Sequence, residues 1–481
     1  MISSRPIFHL LKVSLEAKSA HAIHTGHGDT VHDSLVMRDA NGLPTLSGSS
    51  LAGVLRHEYQ RQCGEQAAKD LFGYANGGEG QTSWLNVTWG LAHNSLNQAQ
   101  EGLLTERQLS DPLYSVLSDS KLIVRQRVRL NDKGSSVDAG KFDVTLVPAG
   151  TRYSFIISYW GDGSESSNQQ WSNLLKLFID QNIRVGHGTN SGYGLFETVA
   201  LHEAVWDLTT EQGQVAYCGH SRTRMNYEGM ESILFKGSSN NSSSRLSAEL
   251  NLVAESAWRV GGGEQYLNEE ASAGENDRNR APDMLPMHEA KIYWKQDQNN
   301  KQIGEIGRQQ YLLPASAVKG AIRHRVAYHY NCLTSCFVDD NLAHDTSDSP
   351  AVASLFGYAK DDQSNSGIIA FHDVYLDSQK QQVLMHNKID RFTGGVVNGA
   401  LFNENVLWKS NIKITLDIID PSKVNDPDIK IALQRSLDDL ANGWLPLGAS
   451  GSRGLGTFLS CDDKGVQWSD NQKWIEMKET V

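Results

Sequence analysis

The stretch GHGTNSGYGLFE, residues 186–197, holds glycines at 186, 188, 192 and 194 and then alternates apolar and polar residues. A second stretch, GASGSRGLGTF at residues 448–458, repeats this spacing with Gly448, Ser450, Gly454 and Gly456. Glycine has no Cβ, so runs of this kind indicate a backbone that something approaches closely. The shared spacing is the first indication of one module written twice.

Further matches recur in the same order. Residues 46–57, LSGSSLAGVLRH, match residues 313–324, LPASAVKGAIRH, and LFGYA occurs at both 71–75 and 355–359. Ordered matches predict a duplicated fold. We expect a first module at 1–205, a linker at 206–244 and a second module at 245–481, because the polar run KGSSNNSSSR at 236–245 cannot build a core.

The bulk composition is that of a globular protein large enough for two domains, with 481 residues and a formal net charge of -12. No apolar run is long enough to span a bilayer, and five scattered cysteines are typical of reduced thiols, so we expect a cytoplasmic protein without membrane contact. The negative charge argues against a general polyanion binder, although local basic stretches remain able to bind one.

Period-two alternation predicts strands at 7–15, 85–89, 125–130, 152–158 and 195–201. Residues 49–62 have the pattern of a helix, with Ser49 or Ser50 as its N-cap. Strands with few interspersed helices predict an α+β fold, in which an antiparallel sheet carries helices on one face.

The repeated helix has features of a phosphate site. Ser49 and Arg56 share one face, and Ser316, Lys319 and Arg323 line the corresponding face in the second copy. Helix amides followed by a hydroxyl and cations suit a phosphate, and two such helices suggest a nucleic-acid strand. The alternative is a capped surface helix with solvated cations.

Three arginines of one expected strand alternate with other residues. Arg125, Arg127 and Arg129 would project from the same side and repel one another, which a phosphate backbone would relieve. A solvated strand face is the alternative. The glycine loops fit neither a dinucleotide fingerprint nor a P-loop, because a strand and not a helix follows residues 186–194. Bare amides meeting an RNA backbone fit better.

Acidic residues precede the repeated helix in both copies. Asp33 aligns with Asp283, Met37 with Met287, and Asp39 with Glu289. An acid in a loop beside RNA could hold a hydrated Mg²⁺ that orients a 2′-hydroxyl, and it could equally cap a turn. Spacing alone leaves both interpretations open. The histidines at 21, 24 and 27 leave a zinc site open in the same way, although a strand entering a loop does not make them converge.

Taken together, the glycine loops, the Ser-Ser-Leu-x-Gly-x-Leu-Arg helix, Leu-Phe-Gly and residues 142–150, FDVTLVPAG, resemble the RAMP superfamily of CRISPR effector proteins. The likeness covers nearly all of both copies and is greatest to backbone subunits of type III complexes, in particular the tandem fusions of type III-D-like effectors. It implies two RRM-like, ferredoxin-type palms, each with a β-hairpin thumb. It also implies as partners a crRNA, a target RNA, other RAMP backbone subunits and the large polymerase/cyclase-like subunit, in antiviral defence.

The resemblance further implies an endoribonuclease in which Asp33, with Mg²⁺ or Mn²⁺, cleaves target RNA and leaves a 2′,3′-cyclic phosphate. Asp283 is the second candidate, although its loop is longer than the family pattern. Two other functions remain open: a structural backbone without catalysis, and a metal-independent guide-processing nuclease using His57 or His187. The residues expected to contact RNA are Ser49, Ser50, Arg56, Arg125, Arg127, Arg129, Gly186, Gly188, Ser316, Lys319, Arg323, Arg391, Gly448, Ser450 and Arg453.

Overall fold

The computed structural model describes most of the chain. The described residues are 4–26, 35–119, 122–131, 135–179, 183–233, 245–261, 282–307, 309–336, 349–360, 363–461, 465–470 and 473–476. Asp33, the first catalytic candidate, lies outside them, as does His27.

The first module is built on an antiparallel sheet in the order β10-β11-β1-β9-β6-β2, with β12 added to β11 and β5 to β9. A separate hairpin, β7–β8, projects from this sheet. The strands are β1 Ile7–Ala17, β2 Thr45–Leu46, β3 Tyr74–Asn76, β4 Glu79–Gln81, β5 Leu85–Val87, β6 Gly90–Ala92, β7 Ile123–Leu130, β8 Ser136–Leu146, β9 Arg152–Gly161, β10 Ile183–Arg184, β11 Leu195–Asp207 and β12 Glu231–Ser232.

Helices lie on both faces of this sheet. On the face of Leu11 and Val13 are α1 Gly48–Cys63, α2 Glu65–Phe72, α3 Glu106–Leu109, α4 Pro112–Leu117 and α5 Glu165–Ile179. On the opposite face, α6 Glu211–Gly219 packs its Tyr217 against Phe8. The core forms between the helices on the first of these faces and the central strands. Leu51 of α1 and Trp171 of α5 pack in the same apolar cluster as Leu11 and Val13 of β1.

The second module repeats this plan around β13, in the order β21-β25-β13-β26 with β27 added to β13. Its strands are β13 Leu246–Ala254, β14 Ala257–Trp258, β15 His288–Glu289, β16 Ile292–Gln296, β17 Gln302–Ile306, β18 Gln310–Leu313, β19 Gly357–Lys360, β20 Gln363–Ser366, β21 Ile369–Phe371, β22 Val374–Leu376, β23 Gln381–His386, β24 Phe402–Trp408, β25 Asn411–Ile418, β26 Phe458–Ser460 and β27 Gln467–Trp468. Its helices are α7 Ala315–Leu333, α8 Pro350–Phe356, α9 Pro427–Ala441 and α10 Lys473–Glu476.

The two modules agree in detail, which confirms the predicted tandem α+β fold. Each has its own apolar core. The amide of Met37 donates to the carbonyl of Ile23 at 2.7 Å, and the amide of Met287 donates to that of Val260 at 2.8 Å. The aligned methionines therefore hold the same place beside the central strand.

Most of the expected linker is folded instead. Residues 206–233 continue β11, form α6 and return as β12 along β11. The Lys12 ammonium donates to the carbonyls of Ser221 and Asn226 at 3.0 and 2.5 Å, and Tyr227 stacks on His202 with ring centroids 3.8 Å apart. Residues 206–233 pack on the outer face of the sheet, where Trp206, Tyr217 and Met230 join Phe8 in a small apolar cluster. The polar run at 236–245, on which the linker prediction rested, is therefore not typical of the whole segment.

A hairpin of the second module, β16–β17, lies on the first module. The Ile292 amide donates to Ala149 O at 2.9 Å, and the Trp294 indole donates to Gly150 O at 2.7 Å. Gly150 has φ +85°, and a Cβ there would meet the Ile292 carbonyl oxygen at 1.9 Å. The two modules are thus joined by backbone contacts as well as by side chains. In the described part of the chain, no helix is long and apolar enough to cross a membrane.

Candidate nucleic-acid interface

The glycine loops owe their composition first to the protein's own backbone. Gly186 has φ +100°, and a Cβ there would meet the Ala22 carbonyl oxygen at 2.2 Å. Gly448 has φ +94°, with its Cβ position 2.3 Å from Arg259 O. The loop glycines are therefore required by a tight turn against the protein's own backbone at Ala22 and Arg259, before any ligand is considered.

The third glycine of each loop has different surroundings. A Cβ on Gly192 would lie 2.3 Å from the Ala315 Cβ, at the start of α7 in the second module. A Cβ on Gly454, the matching residue, would meet no atom within 4 Å. The first loop is therefore filled by protein at this point, and the second loop is open.

The helix starts differ from the prediction. Ser47, and not Ser49 or Ser50, is the N-cap of α1, and its hydroxyl accepts from the Ser50 amide at 3.3 Å. Ser49 is exposed beside this helix start. At α7 the cap position is Pro314, which has no side-chain acceptor. Its place is taken from another strand, because the amide of Ala315 donates to Asp373 Oδ1 at 2.8 Å.

The Asp373 carboxylate thus accepts a hydrogen bond from the first amide of α7, at the place where we expected a phosphate. A carboxylate at this end of a helix is stabilised by the amides as a phosphate would be. The helix start of the second module is therefore an internal anion site, while the hydroxyl of Ser316 next to it remains half-buried.

Arg125 is an internal residue and not a phosphate contact, which corrects the prediction for it. Its side chain is 2% exposed and bonds both Glu289 oxygens, at 2.7 and 2.9 Å. It also lies 2.8 Å from Asp373 Oδ2. Since a lone arginine would not be buried so deeply, the two carboxylates of the second module explain its position where the base of the β7–β8 hairpin meets that module.

This buried ion cluster is electrostatically interdependent. Burial raises the pKa of Asp373, which Arg125 opposes. Burial also disfavours the charged guanidinium, yet Asp373 and Glu289 hold the pKa of Arg125 well above its ordinary value. The Tyr375 hydroxyl completes the cluster by donating to Glu289 Oε1 at 2.5 Å. The cluster joins the modules and contains no cation left over for RNA.

The next arginine along β7 has a different environment. Arg127 is half-buried, lies over the Tyr193 ring at 5.8 Å and reaches Ser191 Oγ at 3.4 Å. Burial, together with the neighbouring charges of Arg127 and Arg323, lowers the pKa of Lys319 to about 8. The structure thus brings together three of the expected RNA contacts, from two modules, at the first glycine loop.

Two histidines border the same place. Burial lowers the pKa of His187, and the His24 and Arg127 side chains lower it further. The His24 and His187 rings lie 5.0 Å apart. His24 stands three residues before the segment 27–34 that contains Asp33. We name the set Arg127, Lys319, Arg323 and His187 the junction cluster.

A cleft of about 500 Å³ lies nearby, between α1, the first glycine loop and the second module. Its cations are already paired with acids. Arg184 lies 3.1 Å from Asp417, and Arg245 and Arg61 each lie 2.8 Å from Glu58. These cations of the cleft are therefore already paired with acids of the same protein, which makes the cleft a weak place for a phosphate.

The second acidic candidate has a structural role. Asp283 Oδ2 accepts from the Asn403 amide at 2.9 Å, and the Asp283 amide donates to Asn403 Oδ1 at 2.7 Å. This reciprocal pair fastens the segment to β24. Within the described ranges, no group of three His, Cys, Asp or Glu residues could hold a metal ion.

The remaining expected RNA contacts do not converge. Arg391 is exposed in a turn capped by Asp390, next to Phe392, which is 95% exposed. Arg453 donates to Ser450 Oγ at 3.0 Å in the second glycine loop. Arg129 is exposed at the end of β7, Arg56 lies half-buried on α1, and Gly188 is covered by the Tyr193 ring.

Sequence reasoning missed the roles of Asp373 and Glu289. Glu289 was aligned with Asp39, but Asp39 caps a local turn by accepting from the Asn41 and Leu43 amides at 2.9 and 3.0 Å. The strand register places Trp89 where the second module has Asp373, because Gly90 and Val374 pair with Leu46 and Leu313. The signal available in the sequence was that the second copy has an acid, Asp373, where the first copy has Trp89.

Comparison with known proteins identifies the family of both repeats. The family model of the RAMP superfamily matches residues 15–197 and again residues 251–459. Among curated proteins, no sequence matches the chain.

Two of the solved structures to which the chain is similar are type III-B complexes. One is a chain of the type III-B Cmr-beta bound to cognate target RNA, with 16% identity, a TM-score of 0.29, and coverage of 41% of this chain and 60% of that chain. The other is a chain of the apo type III-B Cmr-beta, with 14% identity, a TM-score of 0.30, and coverage of 39% and 96%. This chain spans about three fifths of the first of them.

Proposed function

The chain belongs to the RAMP superfamily and contains the module of this superfamily twice. We propose that it is a backbone subunit of a type III CRISPR RNA-guided effector. In this proposal it holds the crRNA backbone at the junction cluster and takes part in cleavage of the bound target RNA. Its other partners would be further RAMP subunits and the large polymerase/cyclase-like subunit.

The junction cluster carries the RNA-binding part of the proposal. Lys319 is largely buried next to two arginines, and both of them lower its pKa. Cations brought together in this way repel one another, and a polyanion would relieve the repulsion. Phe142, which is 38% exposed, adds a ring face 5.3 Å from Arg127. RNA backbones are held by such combinations of charge and aromatic surface.

Cleavage would depend on Asp33, in the segment 27–34 that follows His24 in the sequence. With the metal expected for this chemistry, Asp33 would supply one carboxylate ligand and RNA phosphates the others, since Mg²⁺ is commonly held by few protein groups. The metal would favour ionisation of a 2′-hydroxyl and stabilise charge on the phosphate. His187, with its lowered pKa, would be neutral at pH 7 and able to accept a hydrogen bond.

One observation favours a purely structural, non-catalytic role for the second module. The Asp283 carboxylate is engaged with the Asn403 backbone, so it acts as a fastener of β24. We therefore propose that cutting is assigned to the first module alone.

RNA binding can be tested through the acidity of Lys319. A phosphate favours the ammonium form, so binding of a guide RNA should weaken as the pH rises from 7 to 9 through the pKa of about 8. Lys319→Arg should bind with little pH dependence in that range. Lys319→Met should bind more weakly at every pH and reduce the salt slope by roughly one counterion.

The matched control for charge is Lys295→Met, because Lys295 lies on β16, exposed and paired with Glu305 at 2.7 Å. Equal affinities and salt slopes for Lys319→Met and Lys295→Met would contradict RNA contact at the junction cluster.

Cleavage is tested separately by mapping cuts in an end-labelled target RNA within the assembled complex. Asp33→Ala should abolish the cut opposite the first module, and chelation should do the same. Asp283→Asn should leave the pattern unchanged. Cuts that persist at every site in Asp33→Ala would favour the scaffold function.

A further inference from the structure

The Asp373 carboxylate contacts both elements that bring cations to the junction cluster. Its Oδ1 accepts a hydrogen bond from the Ala315 amide, 2.8 Å away, at the start of α7. Its Oδ2 lies 2.8 Å from the Arg125 guanidinium on β7 of the first module. The Asp373 side chain is 1% exposed, so it does not itself reach RNA. Building on the RNA contact proposed above, we propose that Asp373 is a positioning residue, which sets the distance between the RNA-binding cations of the two modules.

The second-module side of this contact is short. Lys319 lies four residues after Ala315, about 6 Å along the axis of α7. Arg323 follows one turn later and projects from the same face of the helix. A helix keeps its shape over one or two turns, so a movement of its first residue carries both cations with it.

The first-module side is equally short. Arg127 lies two residues after Arg125 on the same face of β7, about 7 Å along the strand. Glu289 accepts from two nitrogens of the Arg125 guanidinium, and Asp373 contacts the same group. Such two-point pairs fix orientation as well as distance. We name Arg125, Glu289 and Asp373 the ionic joint, because they locate the strand that carries Arg127 relative to the second module.

Packing leaves little freedom at the ionic joint. A Cβ on Gly192 would lie 2.9 Å from Asp373 Oδ1 and 2.3 Å from the Ala315 Cβ. The Tyr375 hydroxyl donates to Glu289 Oε1 at 2.5 Å and restrains the second carboxylate. The Asp373 side chain therefore cannot change its length or position without displacing the first glycine loop or the start of α7.

Placement matters because the cations of the junction cluster repel one another. Burial, together with the charges of Arg127 and Arg323, lowers the pKa of Lys319 to about 8. Charges held in this way would move apart if the two modules could shift, since separation lowers their Coulomb energy. The ionic joint opposes that movement in the RNA-free chain. The cations are thus already in place when a phosphate arrives, and binding does not have to bring them together.

Two substitutions at one position separate charge from placement. Asp373→Asn keeps the shape and the acceptor for the Ala315 amide but removes the charge that faces Arg125. Asp373→Glu keeps the charge and displaces it by one methylene. Each should weaken guide-RNA binding at pH 7 by about tenfold. In each variant Lys319 should move away from Arg127, so the loss of affinity on raising the pH should occur at a higher pH than in the wild type.

The matched control loosens the modules at another place. Trp294→Ala removes the indole that donates to Gly150 O at 2.7 Å and that lies 4.2 Å from the Arg152 guanidinium. Thermal unfolding measures the stability of each variant, and guide-RNA titrations from pH 7 to 9 give its affinity and pH dependence. Trp294→Ala should lose stability and keep the affinity and pH dependence of the wild type. Equal weakening of RNA binding by Trp294→Ala would show that general loosening of the modules, and not Asp373, controls it.

The outcomes separate this inference from the RNA contact on which it rests. Unchanged affinity in Lys319→Met would refute the contact itself. If Lys319→Met weakens binding while the folded Asp373 variants bind and respond to pH as the wild type does, the positioning role alone is wrong. Should both Asp373 variants fail to fold, Tyr375→Phe decides, since it loses only the hydroxyl that donates to Glu289. It should show the same shift in pH dependence at a smaller size, and a wild-type response would overturn the proposal.

Discussion

The first long helices of the two modules start at equivalent places, but different side chains accept hydrogen bonds from the amides of their first turns. At α1 the acceptor is the hydroxyl of Ser47, within the same turn. At α7 it is the carboxylate of Asp373, which is also bound by Arg125 of the other module. Both caps therefore lie within their own modules, but the carboxylate of the second cap finds its buried counter-charge only when the two modules are docked.

The glycine loops show the same contrast. Gly186 and Gly448 are equally constrained by their own chain, but Gly192 is covered by Ala315 and Gly454 is not. The two copies thus share the backbone conformation of the glycine loop and differ in what surrounds it. The comparison teaches that the glycines specify the turn and that the residues around them specify what docks there.

The largest effect is expected for the charge that joins the modules. Arg125→Ala would leave Glu289 and Asp373 buried without their cation, which typically costs about 3–5 kcal/mol. Urea unfolding of the RNA-free chain measures the loss. The control Arg129→Ala, four residues further on the same strand and exposed, should change stability by less than about 0.5 kcal/mol. Similar losses in both variants would contradict the importance of the buried cluster.

The paired glycines give an intermediate effect. Gly192 and Gly454 have φ of +95° and +85°, so alanine strains both by about 1–2 kcal/mol. Only Gly192→Ala also forces a methyl against Ala315, which adds about 1–3 kcal/mol of overpacking. The difference in melting temperature between Gly192→Ala and Gly454→Ala measures the added part. Equal shifts would show that the modules are not packed at this loop.

The smallest effect depends on pH. Burial lowers the pKa of His9 to about 4, and neither ring nitrogen has a hydrogen-bond partner. Between about pH 6.5 and 4 the unfolded chain takes up a proton that folded His9 does not, so stability falls as the pH falls. His9→Leu introduces the residue that the second module has at Leu246. It should remove about 2 kcal/mol of that loss at pH 5. Urea unfolding at pH 5 and pH 7.5 tests it, and an equal difference between the two proteins at both pH values would count against it.

The strands and the long helix were predictable because periodicity reports which side chains face a core, and the repeat gave each prediction a second instance. The same reasoning misassigned Arg125. Its alternation with Arg127 and Arg129 correctly indicated one strand face, but burial along that face decreases from Arg125 to Arg129. A sequence pattern gives the side of a strand on which a residue lies, and it does not give what packs against that side.

By itself, the sequence determined the duplication, the α+β class and the tight glycine turns, because these depend on local conformational preferences and on the order of apolar residues. Only the tertiary structure decided that Arg125 faces Glu289 and Asp373, that Lys319 lies beside Arg127, and that Gly454 is open. The reason is physical. The free energy of a charge depends on the solvent and partners around it, and those are supplied by chain segments far apart in sequence.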